Sequence, residues 1–141
     1  MPLLQSFYIL RLIKIFTFIK LPLKPKINLV ISMSKGYTMS LEEQIKSDIK
    51  NNPIMLYMKG TKLMPMCGFS ATVINILNAY GIEYESVNVL EDPDIRIKLS
   101  EYSDWPTIPQ LFVNGELIGG CDIAIELHKN GELKNILAKI S

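Results

Sequence analysis

The chain has 141 residues, 48% of them hydrophobic, two cysteines and a formal net charge of +1. That length suits one domain with a core of its own, while two cysteines exclude a disulfide-built scaffold and point to a reducing compartment. Residues 1–40 carry six bases and no acid, so the rest has nine bases against fourteen acids, a balance of −5 that argues against nucleic acid as a partner.

The N-terminal stretch stands apart. Phe7 to Ile19 is apolar but interrupted by Arg11 and Lys14, too short and too charged for a stable membrane span. It has neither the unbroken apolar core nor the small-residue cleavage site of a secretory signal. Its basic, acid-free character fits a mitochondrial transit peptide in part, although Lys and Ile outnumber the Arg and Ser such peptides favour. The competing reading is a true start at Met33 or Met39 in a bacterial gene. The first would place the protein in the mitochondrial matrix, the second in the cytoplasm. Leu21-Pro22 and Lys24-Pro25 break any helix. Residues 1–38 therefore read as an extension or linker, and 39–141 as the folded domain.

Ser40-Leu41-Glu42-Glu43 predicts a capping box, followed by an amphipathic helix through Leu41, Ile45 and Ile49 to about Asn51. Pro53 restarts the chain as a buried strand, Ile54 to Met58. A helix follows to Tyr80, with Gly81 as its C-terminal stop, and Tyr84 to Val89 is the next strand. Strand, helix and strand make a right-handed parallel unit. Asp92-Pro93 opens a helix, Asp as cap and Pro at its first position, running through Ile95, Leu99 and Tyr102. Pro109 to Val113 and Glu116 to Ile118 flank Asn114-Gly115, a strong hairpin signal. Asp122 is expected to cap a helix that stops near Asn130-Gly131, and Glu132 to Ile140 to form the last.

Between the first strand and the second helix lies Lys59-Gly60-Thr61-Lys62-Leu63-Met64-Pro65-Met66-Cys67-Gly68-Phe69-Ser70. A cysteine at a strand-to-helix junction meets unpaired N–H groups and the positive end of the helix dipole. Both lower a thiol pKa and favour the nucleophilic, metal-binding thiolate. Lys59 can add positive charge. The plainer alternative is a small buried hydrophobe. Position 70, where a dithiol site has its second cysteine, is Ser70, so Cys67 has no local resolving partner. Further on, Thr107-Ile108-Pro109 follows Trp105-Pro106, and Gly119-Gly120-Cys121-Asp122 precedes a helix. Paired glycines let a ligand approach the backbone, and a helix start receives carboxylates. Read plainly, the prolines only punctuate a loop, Asp122 is only a cap and Arg96 is a solvated surface residue. His128 reads as no ligand, Trp105 as structural, and Met64 and Met66 as packing for their loop.

These four motifs, in this order and spacing from about Leu41 to Ile140, resemble the Cys-Gly-Phe-Ser class of monothiol glutaredoxins. The resemblance implies an α/β thioredoxin fold of glutaredoxin type, a four-stranded mixed sheet flanked by helices. It implies a cis Pro109 facing Cys67, with the backbone of Ile108 free to pair with extended glutathione. It further implies that Lys59 and Arg96 receive the glycyl carboxylate, while Asp122 and the Cys121 backbone receive the γ-glutamyl end. Two cysteines cannot supply the four thiolates of a [2Fe–2S] cluster. Two chains could, each giving Cys67, with two glutathione thiols completing the set. The resemblance thus implies a cluster-bridged homodimer that delivers its cluster to iron–sulfur acceptor apoproteins.

Three functions compete: a cluster carrier, a glutathione-dependent thiol–disulfide oxidoreductase and a docking module without chemistry. Seven residues, Gly60 to Met66, separate Lys59 from Cys67. Dithiol glutaredoxins have a shorter gap. The long loop and Ser70 match the carrier class, whose oxidoreductase activity is at most weak, and a docking module would leave Cys67, Ile108 and Asp122 unexplained.

Overall fold

The computed structural model describes residues 38–140, and the expectations for the N-terminal stretch lie outside them. Ser40 opens the fold: its Oγ accepts from the Glu43 N–H at 3.2 Å, and a Glu43 carboxylate oxygen accepts from the Ser40 N–H at 2.9 Å. The box satisfies donors that a helix start otherwise leaves bare. Helix α1 (Leu41–Asn51) buries Ile45 and Ile49, the spacing-four stripe.

Strand β1 (Ile54–Met58) is buried at every position. It pairs in parallel with β2 (Glu85–Asn88) and antiparallel with β3 (Gln110–Val113), and β4 (Glu116–Gly119) completes a sheet of order β2-β1-β3-β4. Helix α2 (Gly68–Ala79) crosses between the parallel strands, and α3 (Pro93–Ser103), α4 (Cys121–Lys129) and α5 (Glu132–Leu137) complete the order. Strand alternation divides the core in two. Ile54, Leu56 and Met58 pack with Val73, Leu77 and Leu133, whereas Met55 and Tyr57 pack with Ile45, Ile49, Leu99 and Phe112. Helices therefore cover both faces, as expected of the thioredoxin fold.

Several boundaries move. β3 starts at Gln110 rather than Pro109, because proline has no N–H to give the ladder. β2 is trimmed to Glu85–Asn88, and α5 ends at Leu137, short of Ile140. Asp92 caps α3 as expected, accepting from the Asp94 N–H at 2.9 Å. Asp122 does not cap α4: the cap is Gly120, and Asp122 is the second helical residue. Gly119 is the cause. Its φ is +140°, and a Cβ there would lie 2.8 Å from that of Ile123. The bare glycine lets Ile123 close over it, and the helix starts two residues early.

We propose residues 39–141 as the independent folding unit. A chain beginning at Met39 keeps the whole capping box and both core clusters. Its thermal melt is expected to match that of the full chain, and a marked drop in midpoint would show that the preceding residues contribute to the core. Ser40→Ala in either chain should cost about 1 kcal/mol.

Candidate functional site

The site is built where β1 runs out. Beyond Met58 the next two N–H groups leave the sheet and are taken by side chains. Lys59 donates to Ser70 Oγ at 3.2 Å, and Gly60 donates to Asn88 Oδ1 at 2.8 Å. The loop then closes on itself: the Met66 N–H reaches the Lys59 carbonyl at 2.9 Å, and Thr61 and Met64 exchange backbone bonds at 3.0 and 3.1 Å. Lys62 donates to the Tyr84 carbonyl and lies 4.3 Å from the centre of its ring. Gly60 has φ +91°, and a Cβ there would fall 2.4 Å from the Met64 carbonyl oxygen, so no other residue fits. The long loop is thus a tied hairpin. Its apolar side chains do not pack it, contrary to the sequence reading of Met64 and Met66. They are 71% and 68% exposed, because backbone bonds and Lys62 already close the turn.

Cys67 is the N-cap residue of α2, extended at φ −149°, and its side chain makes no capping hydrogen bond. Its thiol is nonetheless drawn below the ordinary value, first by the Ser70 backbone N–H. The Phe69 N–H, the Lys59 ammonium and the Ser70 hydroxyl add to this, with partial burial opposing. The cause is the one expected of a helix start. Cys121 behaves oppositely. It is buried at the first residue of α4, and burial, then the Asp122 charge, pushes its thiol up. Both cysteines are free thiols. Ser70 is fully buried.

All six residues singled out in the sequence line one open cleft of about 410 Å³: Lys59, Cys67, Arg96, Ile108, Cys121 and Asp122. Arg96 comes from the first turns of α3, and Cys121 and Asp122 from the start of α4. The Ile108–Pro109 bond is cis. Ile108 lies beyond Tyr57–Gln110, the last β1–β3 pair, so its backbone is outside the ladder. Among the described residues, neither Lys59 nor Arg96 has an ion-pair partner. Phe69, Trp105, Thr107 and Ile123 also line the cleft. Trp105 does more than the structural role its sequence context suggests. Its carbonyl does accept from Gln110 Nε2 at 2.9 Å, but its indole forms part of the wall beneath Gly120, where a Cβ would stand 3.4 Å from Nε1. The paired glycines are the available signal: a Cβ at Gly119 would collide with Ile123, and one at Gly120 would touch the indole and the Pro109 carbonyl.

No group of three or more His, Cys, Asp and Glu side chains suited to a metal occurs among the described residues. His128 is not among the cleft residues, and its Nδ1 is 2.8 Å from the Tyr80 hydroxyl. The cleft therefore offers one accessible sulfur, two unpaired cations, a free backbone edge and an exposed carboxylate. It suits a short peptide with a carboxylate at one end and an ammonium at the other.

The two thiols should separate in a pH series of iodoacetamide alkylation read by peptide mass. Cys67 is expected to reach half its limiting rate below the ordinary thiol value of about 8.5, because its thiolate persists to lower pH. Cys121 should titrate higher and react more slowly. Equal profiles would contradict the electrostatic account of the helix start.

The family model for glutaredoxin matches residues 54–118. A probable monothiol glutaredoxin 2 of Rickettsia felis is 56% identical over 95 residues, covering 67% of this chain and 91% of that protein. Glutaredoxin 4 of Escherichia coli K12 is 50% identical over 95 residues, covering 67% of this chain and 83% of that one. Among solved structures, reduced apo GrxS14 of poplar superposes with a TM-score of 0.65 at 46% identity, over 73% of this chain and 94% of its own. Among the described residues, no helix is long and apolar enough to cross a membrane. With Ser70 standing where a resolving cysteine would be, and identities of this size over most of the relatives' length, the chain belongs to the monothiol glutaredoxin family.

Proposed function

We propose that this protein binds glutathione in the Cys67 cleft and, as a homodimer, carries a glutathione-ligated [2Fe–2S] cluster to iron–sulfur acceptor apoproteins. The observation that carries the reading is the contrast between the two cysteines. One is accessible with its thiolate favoured, and the other is buried with its thiol favoured. A single chain then offers one good sulfur ligand, whereas a [2Fe–2S] cluster takes four. Two Cys67 thiolates and two glutathione thiols complete the set, which makes the cluster a bridge and the dimer dependent on it.

The residues divide the work as follows. Lys59 and Arg96, unpaired in the free protein, receive the glycyl carboxylate through charge-assisted bonds. The Ile108 backbone, outside the ladder beside the cis proline, pairs with the cysteinyl segment as an added strand would. Asp122 receives the γ-glutamyl ammonium, and the N–H groups at the start of α4, including that of Cys121, receive its carboxylate. The glutathione sulfur is thereby brought beside Cys67. The Lys59 side chain and the N–H groups of α2 stabilise the negative charge on Cys67 while it serves as a ligand. The acidic balance of the domain is consistent with protein acceptors and not nucleic acid, and the cytoplasm remains the proposed compartment.

The second reading, removal of glutathione from proteins, draws on the same thiolate. Cys67 sulfur would attack the glutathione sulfur of a mixed disulfide and release the protein as thiolate. A second glutathione thiolate would then displace the first as glutathione disulfide and regenerate Cys67. Ser70 cannot take the place of that second thiol, so this cycle depends wholly on glutathione from solution.

Protein purified without oxygen, supplied with iron, sulfide and glutathione, is expected to be a brown dimer that loses colour and dimerises no longer once glutathione is removed. Cys67→Ser should abolish both properties and Cys121→Ser should spare them. A colourless monomer under those conditions would overturn the carrier reading. Asp122→Ala should weaken glutathione binding, measured by calorimetry, by about 1.5–3 kcal/mol. Because Asp122 is not the cap of α4, its replacement should cost the fold only the dipole contribution of about 0.3–1 kcal/mol.

A further inference from the structure

The two cations of the cleft come from different parts of the chain: Lys59 follows β1, and Arg96 sits in α3. One side chain links the backbone segments that carry them. Asn88, the last residue of β2, stands opposite Met58 in the parallel register. Its Oδ1 accepts from the Gly60 N–H at 2.8 Å and from the Leu90 N–H at 3.1 Å, and its Nδ2 lies 3.5 Å from a Glu91 carboxylate oxygen. Gly60 adjoins Lys59. Leu90 lies in the short connection from Val89 that Asp92 caps into α3, and so leads to Arg96. The Val89 N–H to Met58 carbonyl bond, 2.9 Å, closes the same corner from the sheet side.

We propose that Asn88 is a positioning residue that fixes the spacing of the Lys59–Arg96 pair, and so sets the affinity of the cleft for a ligand carboxylate. At the end of β1 the sheet supplies no acceptor for the Gly60 N–H, and a buried donor without a partner is costly. An amide oxygen has two lone pairs, so Asn88 satisfies that donor and the Leu90 N–H together. The two segments cannot then move apart without breaking one of these bonds. A carboxylate that bridges two cations needs both at the right distance at once. Holding them there beforehand removes an ordering cost that the ligand would otherwise meet.

The inference rests on the proposed assignment of the glycyl carboxylate to Lys59 and Arg96. The test therefore compares two probes, glutathione and its glycyl ethyl ester, in which that carboxylate is neutral. Binding of each to the full-length, cluster-free chain is measured by calorimetry, with and without Asn88→Ala. The unsubstituted chain should prefer glutathione to the ester. Asn88→Ala should weaken glutathione binding about three- to tenfold, the range of one ordinary hydrogen bond, and leave ester binding unchanged, so that the preference shrinks. Equal weakening of both probes would make Asn88 merely structural, and unchanged glutathione binding would give it no role. Either result overturns the inference. If Asn88→Ala does not fold, the unsubstituted chain supplies the test by amide resonances. Gly60 and Leu90 should shift on adding glutathione and shift less with the ester, and resonances unmoved by glutathione overturn the proposal. Failure of the unsubstituted chain to prefer glutathione over the ester would instead count against the assignment of the cations.

Discussion

Strand β1 sits inside the sheet with a neighbour on each side and helices over both faces, and every one of its residues is buried. Its end is therefore tightly constrained. The strand must leave the sheet at Lys59 without stranding two N–H groups in a protein interior. The solution is to recruit Ser70 from α2 and Asn88 from β2 as acceptors. That choice ties the start of the loop to the start of the helix behind Cys67. It also explains why Ser70 is fully buried although it belongs to the active motif. The hydroxyl does a structural job at the junction and at the same time contributes to the low pKa of the thiol.

The thiol chemistry follows from placement and not from the residue type. Cys67 and Cys121 both stand at helix starts, and both line the same cleft. A helix dipole alone would treat them alike. Hydrogen bonding, burial and local charge separate them: the thiol of Cys67 has the Ser70 and Phe69 N–H groups and then the Lys59 charge beside it, while Cys121 is buried next to Asp122. Desolvation and a neighbouring anion both disfavour a thiolate. The result is a protein with two cysteines of which one favours the thiolate. Its monothiol character is in that sense a matter of environment as well as of the serine at position 70.

The cleft draws on three connections of the fold and on helix α3. The β1–α2 loop supplies Lys59 and Cys67, α3 supplies Arg96, the loop before β3 supplies Trp105 and Ile108, and the β4–α4 junction supplies Gly120 to Asp122. Sheet order brings these together. With β1 central, the chain segments at this end of β1, β3 and β4 converge on one edge of the molecule. The loop from Gly60 to Met66 lies beside them as a closed hairpin with its apolar side chains turned outwards.

Much of this was legible from sequence because its causes are local. Ser40 with Glu43, Asp92 with Pro93, and Asn114 with Gly115 each act within a few residues of themselves, and the elements they punctuate begin and turn where expected. Binary patterning placed the strands within a residue or so, and the family resemblance pointed to the six residues that share the cleft. Most of what the sequence could not decide depends on contacts distant along the chain. The exception is Asp122, which is not the cap of α4 because Ile123, only four residues from Gly119, closes over that glycine. Met64 and Met66 are exposed because Lys62 reaches Tyr84, twenty-two residues away, and the turn needs no apolar filling. Asn88 gave no signal at all, since an asparagine at a strand end matches any turn. Its bond from the Leu90 N–H is local, but only the parallel pairing that sets it opposite Met58 brings it the Gly60 N–H as well. Local propensity and spacing fix where elements start and stop, but which polar groups are left without a partner is settled only when the elements meet.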